Sequence, residues 1–552
     1  MAYPLSARLR LLGLSFLFPV LAAAQSTPPS VSAPTTEAAP VPVVSPQWYL
    51  LDAQQDGGVM GVSVTRAYQE LLQGKASTPV IVAVIDAGID TTHADLRRVL
   101  WRNAKEVVGN GQDDDRNGYA DDVRGWNYLG GADGRNINQE TLEETRLLAR
   151  LQPLYKGKTR TAVPAAKRAE YDLYLKVKKS YDAKVKENVE QLRNYRQAYA
   201  ENAQGAEGLK AALGVTRLDT ATLRTPPTQD PELRQVSKGI YQMLVQTGFA
   251  SMDDVLVEMK KGLQETEDQQ EYGLNLQFNP RPVVGDQPDN VQQRNYGNRD
   301  VTGPDALHGT HVAGIIGADR ENREGILGIA PNVQLMAVRA IPDGDERDKD
   351  VANAIRYAVD NGAQIINMSF GKYYSPQRPA VEEAIRYADT KGVLLIHSAG
   401  NENNDLDKTL QYPAPVFRSG QRIPNMITVG ASSRLNDESL AADFSNFGKT
   451  QVDVFAPGNQ IYSTLPGGKY GNLSGTSMAA PVVTGIAATL KSYFPQLTAA
   501  QLKRIILASA QPVHTKVRQP GTNKLVDFAE LSSTGGIVNL YRAVQLAQQP
   551  TQ

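Results

Sequence analysis

Pro79-Val80-Ile81-Val82-Ala83-Val84-Ile85 is an unbroken apolar run, most of it β-branched, and it stops at Asp86. A run of that length and branching, bounded by turn residues, reads as a strand buried on both faces. Downstream of Asp305 strands and helices alternate. Helix is expected over 307–318, strand over 333–341, helix over 350–361, strand over 363–370 and helix over 379–391. Strands follow at 393–398, 426–431 and 452–456, then helices over 476–494 and 498–509. That alternation implies βαβ units and hence an α/β fold, a mostly parallel sheet with helices on both faces. Sites in such sheets gather at the carboxyl ends of the strands.

Between residues 137 and 285 the alternation stops. Tyr171, Tyr174, Tyr181, Val185, Val189, Leu192, Tyr195 and Tyr199 recur at three- and four-residue steps among Lys, Glu and Gln, the spacing of an amphipathic, coiled-coil-like helix. Ser251 with Asp254 reads as a cap ahead of Val255, Leu256 and Met259. Pro226, Pro227 and Pro231 separate the two zones, so 137–285 is expected to be an antiparallel helical insertion. The α/β domain is then split into 47–136 and 286–547, with a short tail at 548–552.

Composition narrows the function classes. Across 552 residues, 58 Lys plus Arg face 59 Asp plus Glu, so no global basic field exists to hold phosphate backbones and no nucleic-acid partner is expected. Cysteine is absent, which removes disulfides, thiolate metal sites and Cys nucleophiles. Arg8 and Arg10 precede an apolar run from Leu11 to Leu21 and then Ala22, Ala23 and Ala24, the order of a signal peptide over 1–24. A Pro/Ser/Thr-rich linker follows over 25–46. The mature chain is expected to be secreted or periplasmic, with no membrane segment after cleavage.

Four segments carry polar residues where packing alone would not place them. Asp86 ends the first strand, His308 opens a small-residue helix in His308-Gly309-Thr310-His311, Asn401 follows an apolar strand, and Ser477 starts a helix. Each has a plain reading in isolation, such as a turn or helix cap. Together a carboxylate, an imidazole, an amide and a helix-start hydroxyl are the parts of acyl transfer by an activated serine.

These segments resemble the subtilisin-like serine peptidases, in that family's order Asp, His, Asn, Ser. His308–Gly314 (HGTHVAG) and Gly475–Pro481 (GTSMAAP) are near-literal matches, with Ser369-Phe370-Gly371 and Ala399-Gly400-Asn401 between them. The likeness runs from near Trp48 to Gly134 and from near Gln287 to Ala547. It implies a serine endopeptidase acting on polypeptide substrates through an acyl-enzyme. Ser477 would be the nucleophile, His308 the base and then acid, Asp86 the carboxylate that orients the imidazole, and Asn401 the oxyanion donor beside the Ser477 amide. Ser369, Phe370 and Gly371 match the edge that receives an extended peptide. Glu402, also assigned to substrate binding, has two open readings: a group favouring basic side chains, or a solvated rim charge. His93, His311, His397 and His514 are read as structural.

Asp113, Asp115 and Asn117 stand at alternate positions before Gly118, the first half of a calcium-loop pattern, with Asp121 expected to close it. Arg124 occupies the place of a bidentate Glu, so an EF-hand is not expected. Structural calcium is common in the family the chain resembles, which makes Ca²⁺ the expected cofactor.

Three departures from the family pattern stand out. Ala87 replaces the usual Ser or Thr after the catalytic Asp, removing one hydrogen bond to the carboxylate. No folded propeptide is expected between Gln25 and Trp48. The distance from Asp86 to His308 is far longer than in relatives, and the insertion that fills it has four open readings: a restriction on substrate access, a docking element for a protein partner, a replacement for the propeptide, or an inert surface decoration. The rival function is a catalytically silent scaffold that binds a partner through that insertion. An esterase is a third reading, weakened by the lack of a GxSxG elbow.

Overall fold

The computed structural model describes residues 45–549. The expected signal peptide at 1–24 and all but the end of the linker lie outside them. Two compact units emerge: the chain up to Glu143 together with the chain from Asn279, and Glu144–Phe278.

The first unit is built on a nine-stranded sheet. Its strands are β1 (Val80–Asp86), β2 (Gly125–Asn127), β3 (Val333–Arg339), β4 (Ile365–Met368), β5 (Leu394–Ser398), β6 (Met426–Ser432) and β7 (Val454–Pro457). A separate hairpin, β8 (Ile461–Leu465) with β9 (Lys469–Leu473), comes next in the chain. β10 (Gln511–Pro512), the paired β11 (Lys516–Arg518) and β12 (Leu525–Asp527), and β13 (Gly536–Ile537) follow. The sheet order is β10-β13-β7-β6-β5-β4-β1-β3-β2, parallel throughout except between β10 and β13.

The apolar run of β1 is continuous because both faces of the sheet are covered. Val80, Val82 and Val84 enter one core and Ala83 and Ile85 the other, as the alternation of a strand requires. The first core is shared with α1 (Leu307–Gly317) and the second with α2 (Asp348–Asp360) and α3 (Arg378–Thr390). The first core also takes up α4 (Thr476–Tyr493) and α5 (Ala499–Ser509). Thr498 caps α5 through a full capping box with Gln501. Trp48, Trp101 and Trp126 are all buried in this unit.

Buried charges gather where the chain leaves and re-enters this unit. Lys372 Nζ lies 2.8 Å from Glu143 and 2.9 Å from Asp348, and Arg281 pairs with Asp286 at 2.6 Å and with Asp350 at 2.8 Å. Removing one partner of such a pair leaves an uncompensated buried charge, a loss of about 3–5 kcal/mol. Residues 137–143 and 279–285, which the sequence reading grouped with the insertion, therefore belong to the sheet unit.

The second unit is helical. Its longest helix, Arg168–Leu213, has 46 residues, about 69 Å at 1.5 Å per residue. Tyr171 and Tyr174 are buried against Tyr155, whereas Val189, part of the expected apolar stripe, is 51 % exposed. The chain returns through helices Pro231–Thr247 and Met252–Asp268, capped by Asp230 and Ser251. The far end of the long helix shares a core of its own, with Leu209, Leu213, Leu218, Leu223, Leu233 and Leu244. Among the described residues, no helix is long and apolar enough to cross a membrane.

Candidate active site

β5, β4 and β1 are neighbours in the sheet, and their carboxyl ends deliver Asn401, Ser369 and Asp86 to one edge. Asp86 is the last residue of β1 and is 2 % exposed. Its Oδ1 accepts from His308 Nδ1 at 2.7 Å and from the Ala87 amide at 2.8 Å. Its Oδ2 is buried with no hydrogen-bond partner. Gly309 makes the approach of α1 possible, since a Cβ there would lie 2.2 Å from the Gly88 carbonyl oxygen.

Opposing influences set the basicity of His308. Desolvation pulls its pKa down, but the charge and hydrogen bond of Asp86 outweigh it, with Asp305 adding to them, and the net shift is upward from 6.5. With Nδ1 committed to Asp86, Nε2 is the atom left for proton transfer.

Ser477 stands in the first turn of α4, where backbone N–H groups lack intrahelical partners. Its hydroxyl donates to the Ser369 carbonyl at 3.1 Å. The Ser369 hydroxyl donates to the Ser477 carbonyl at 2.9 Å and accepts from Asn367 Nδ2. In this structure the Ser477 hydroxyl is therefore engaged at the strand edge.

Asn401 is exposed, and its Oδ1 accepts from both the amide and the hydroxyl of Thr476, at 2.8 and 2.9 Å. Those two donors fix which way the side-chain amide faces. Nδ2 is left as a donor with no protein acceptor among the described residues. Thr476 is a residue the sequence reading passed over, hidden because a Thr at a helix start looks like an ordinary cap.

The other expected substrate-binding residues lie on the same edge. Phe370 gives its carbonyl to the buried His397 Nε2 at 2.8 Å, and Lys372 exchanges two backbone hydrogen bonds with Tyr412. Gly371 packs against Gln411, where a Cβ would come within 2.9 Å. Glu402 Oε2 accepts from Tyr373 at 2.6 Å, from Asn446 at 2.9 Å and from the Asn401 amide at 3.0 Å. His311 and His397 are buried and both are pushed down to about 4, chiefly by desolvation.

Of the four expected metal ligands, Asp113 and Asp115 lie together, and the third member of the group is Glu106, with one ligand atom from each within 4.8 Å of the others. Glu106 was invisible to a motif reading because it precedes the acidic run. Asn117 Oδ1 accepts from the Tyr119 amide, and Asp121 pairs with Arg299 while accepting the amides of Gly109 and Gly111. The structure does not bring the Asp121 carboxylate into the group.

The chain is similar to known serine proteinases over part of its length. A thermophilic serine proteinase of Bacillus sp. (strain AK1) is 44 % identical over 186 residues, 34 % of this chain and 42 % of that protein. Subtilisin DY of Bacillus licheniformis is 36 % identical over 206 residues, 37 % of this chain and 70 % of that protein. The prenylagaramide maturation protease PagA is a partial structural likeness, 31 % identical with a TM-score of 0.36, covering 44 % of this chain and 83 % of that one. The chain thus spans less than half of the first relative's length. Residues 77–535 match the subtilase family as a whole, and the chain belongs to that family.

Proposed function

We propose that the protein is an exported serine endopeptidase. The observation that carries this is the 2.7 Å bond between His308 Nδ1 and Asp86 Oδ1 at the strand edge that also bears Ser369 and leads to Asn401. Asp86 holds the imidazole in the tautomer whose Nε2 accepts a proton. As a peptide binds along Ser369, Phe370 and Gly371, the Ser477 hydroxyl leaves the Ser369 carbonyl, gives its proton to His308 and attacks the scissile carbonyl. The developing oxyanion is met by Asn401 Nδ2 and the Ser477 amide. His308 then protonates the leaving amine, and water, deprotonated by the same imidazole, releases the acyl group.

A structural Ca²⁺ fits the oxygen donors of Glu106, Asp113 and Asp115, and these residues would hold it. Its contribution would be to tie the 106–115 loop, with no part in bond cleavage. The helical unit is assigned to partner or substrate-protein recognition. Residues 145–196 carry 14 Lys or Arg against 5 Asp or Glu, which favours acidic polypeptide surfaces.

The test is labelling by a fluorophosphonate probe with the modified residue mapped, alongside casein hydrolysis. Label on Ser477, and loss of both signals in Ser477→Ala by about a million-fold in turnover, a magnitude measured on a subtilisin, are expected. A folded wild-type chain that neither labels nor cleaves casein would favour the silent scaffold.

A further inference from the structure

Asn446 lies in the loop between β6 and β7 and is 0 % exposed. Its side chain reaches both sides of Asn401. Oδ1 accepts the amides of Glu402 at 3.1 Å and Asn404 at 2.7 Å, while Nδ2 donates to the Ala399 carbonyl at 2.8 Å and to Glu402 Oε2 at 2.9 Å. Its own backbone amide donates to the Gly400 carbonyl at 2.9 Å. Gly400 has φ +98°, and a Cβ there would lie 2.4 Å from Asn446 Nδ2. The loop is thus shaped around this one amide.

Glu402 completes the brace. Its Oε2 receives Tyr373 from the strand edge, Asn446 from below and the backbone amide of Asn401 itself. A carboxylate accepting several charge-assisted bonds is a stiff anchor. Asn401 is therefore fixed at its side-chain oxygen by Thr476 and at its backbone amide by Glu402, leaving Nδ2 as its remaining donor.

We infer that Asn446 and Glu402 are positioning residues for the Asn401 donor, holding its amide where charge develops in the transition state. The inference rests on the peptidase reading of the same site. It gives Glu402 a task besides any contact with substrate, because its Oε2 is already occupied. Ground-state binding of peptide does not use this donor, so the brace acts on turnover and on transition-state mimics.

The full-length protein is assayed with a succinyl tetrapeptide p-nitroanilide and a peptidyl trifluoromethyl ketone, whose adduct with Ser477 bears the oxyanion. Asn446→Asp, which sets two carboxylates against each other, and Glu402→Gln, on an exposed side chain that leaves folding intact, are the variants. Each is expected to lower kcat by about ten- to a hundredfold, with KM nearly unchanged and ketone affinity falling in proportion. In an Asn401→Ala background the same substitutions should cost less than about twofold more, because the group they position is gone. Equal losses in both backgrounds, or a loss carried by KM, overturn the inference. Absence of fluorophosphonate label on wild-type Ser477 overturns the peptidase reading and this inference with it.

Discussion

Ser369 and Ser477 exchange hydrogen bonds in both directions, hydroxyl to carbonyl at 2.9 and 3.1 Å. The cause lies four residues on, at Pro481. Proline has no N–H, so the Ser477 carbonyl loses its intrahelical donor, and the Ser369 hydroxyl supplies the replacement. The helix that starts beside Ser477 is thereby tied to the strand edge at Ser369.

Ser369→Ala should cost about 1–3 kcal/mol of stability, since it strands the Ser477 carbonyl and the Asn367 amide. Adding Pro481→Ala restores a donor to that carbonyl and should recover part of the loss. Urea unfolding of the single and double variants decides; a double variant no more stable than Ser369→Ala would refute the link.

The activity profile follows from the raised pKa of His308. A raised pKa means that the protonated, inactive imidazole persists to higher pH than in a free histidine. The acid limb of kcat/KM should have its midpoint above the reference of about 6.5. A midpoint at or below that value in a pH series with a small peptide substrate contradicts the assigned pairing.

Asp86 Oδ2 is buried without a donor, and the neighbouring side chain is Ala87. Ala87→Ser offers a hydroxyl to that oxygen. A bond to the carboxylate weakens its pull on the imidazolium, so the acid limb should move to lower pH. An unchanged limb would mean that the new hydroxyl bonds elsewhere.

His311 and His397 give the sheet unit a second pH response. Both fold neutral, with pKa values pushed down to about 4. Their stabilising effect is complete above the unfolded value of about 6.5 and is lost as pH falls toward 4, at most about 3 kcal/mol each. His397→Gln should flatten the decline of the urea midpoint between pH 6.5 and 5, and a decline as steep as wild type's would exclude His397 as a source.

Chelation should lower the thermal midpoint, and millimolar Ca²⁺ should restore it, since a ligand at 100 times its Kd stabilises by about 2.7 kcal/mol. Asp113→Asn should abolish the response, whereas Asp121→Asn, which alters a carboxylate outside the ligand group, should leave it in place. Calcium-independent melting of the wild type would remove the cation from the description.

Much of the architecture was legible because burial writes itself into sequence. The run 80–85 is apolar at every position because both sheet faces are covered, and helices Leu307–Gly317 and Ala499–Ser509 begin near the residues their patterns indicated. Asp86, His308, Asn401 and Ser477 stood out through the company of their neighbours. What escaped was nonlocal. Glu106 joins Asp113 and Asp115 through a fold of the loop, and Asn446 grips a segment more than 40 positions away in the chain. Arg339, Lys349 and Lys372 look like surface cations in one dimension, yet each is buried, with carbonyl or carboxylate partners supplied by distant segments.

All three tryptophans of the chain, Trp48, Trp101 and Trp126, belong to the sheet unit, while the 46-residue helix belongs to the other. Emission excited at the red edge of the absorption band therefore reports on one unit alone, whereas the helical minimum of the circular dichroism spectrum reports on both. Melting followed by both signals would reveal, without any label or truncation, whether the two halves of this protein lose their order together or one at a time.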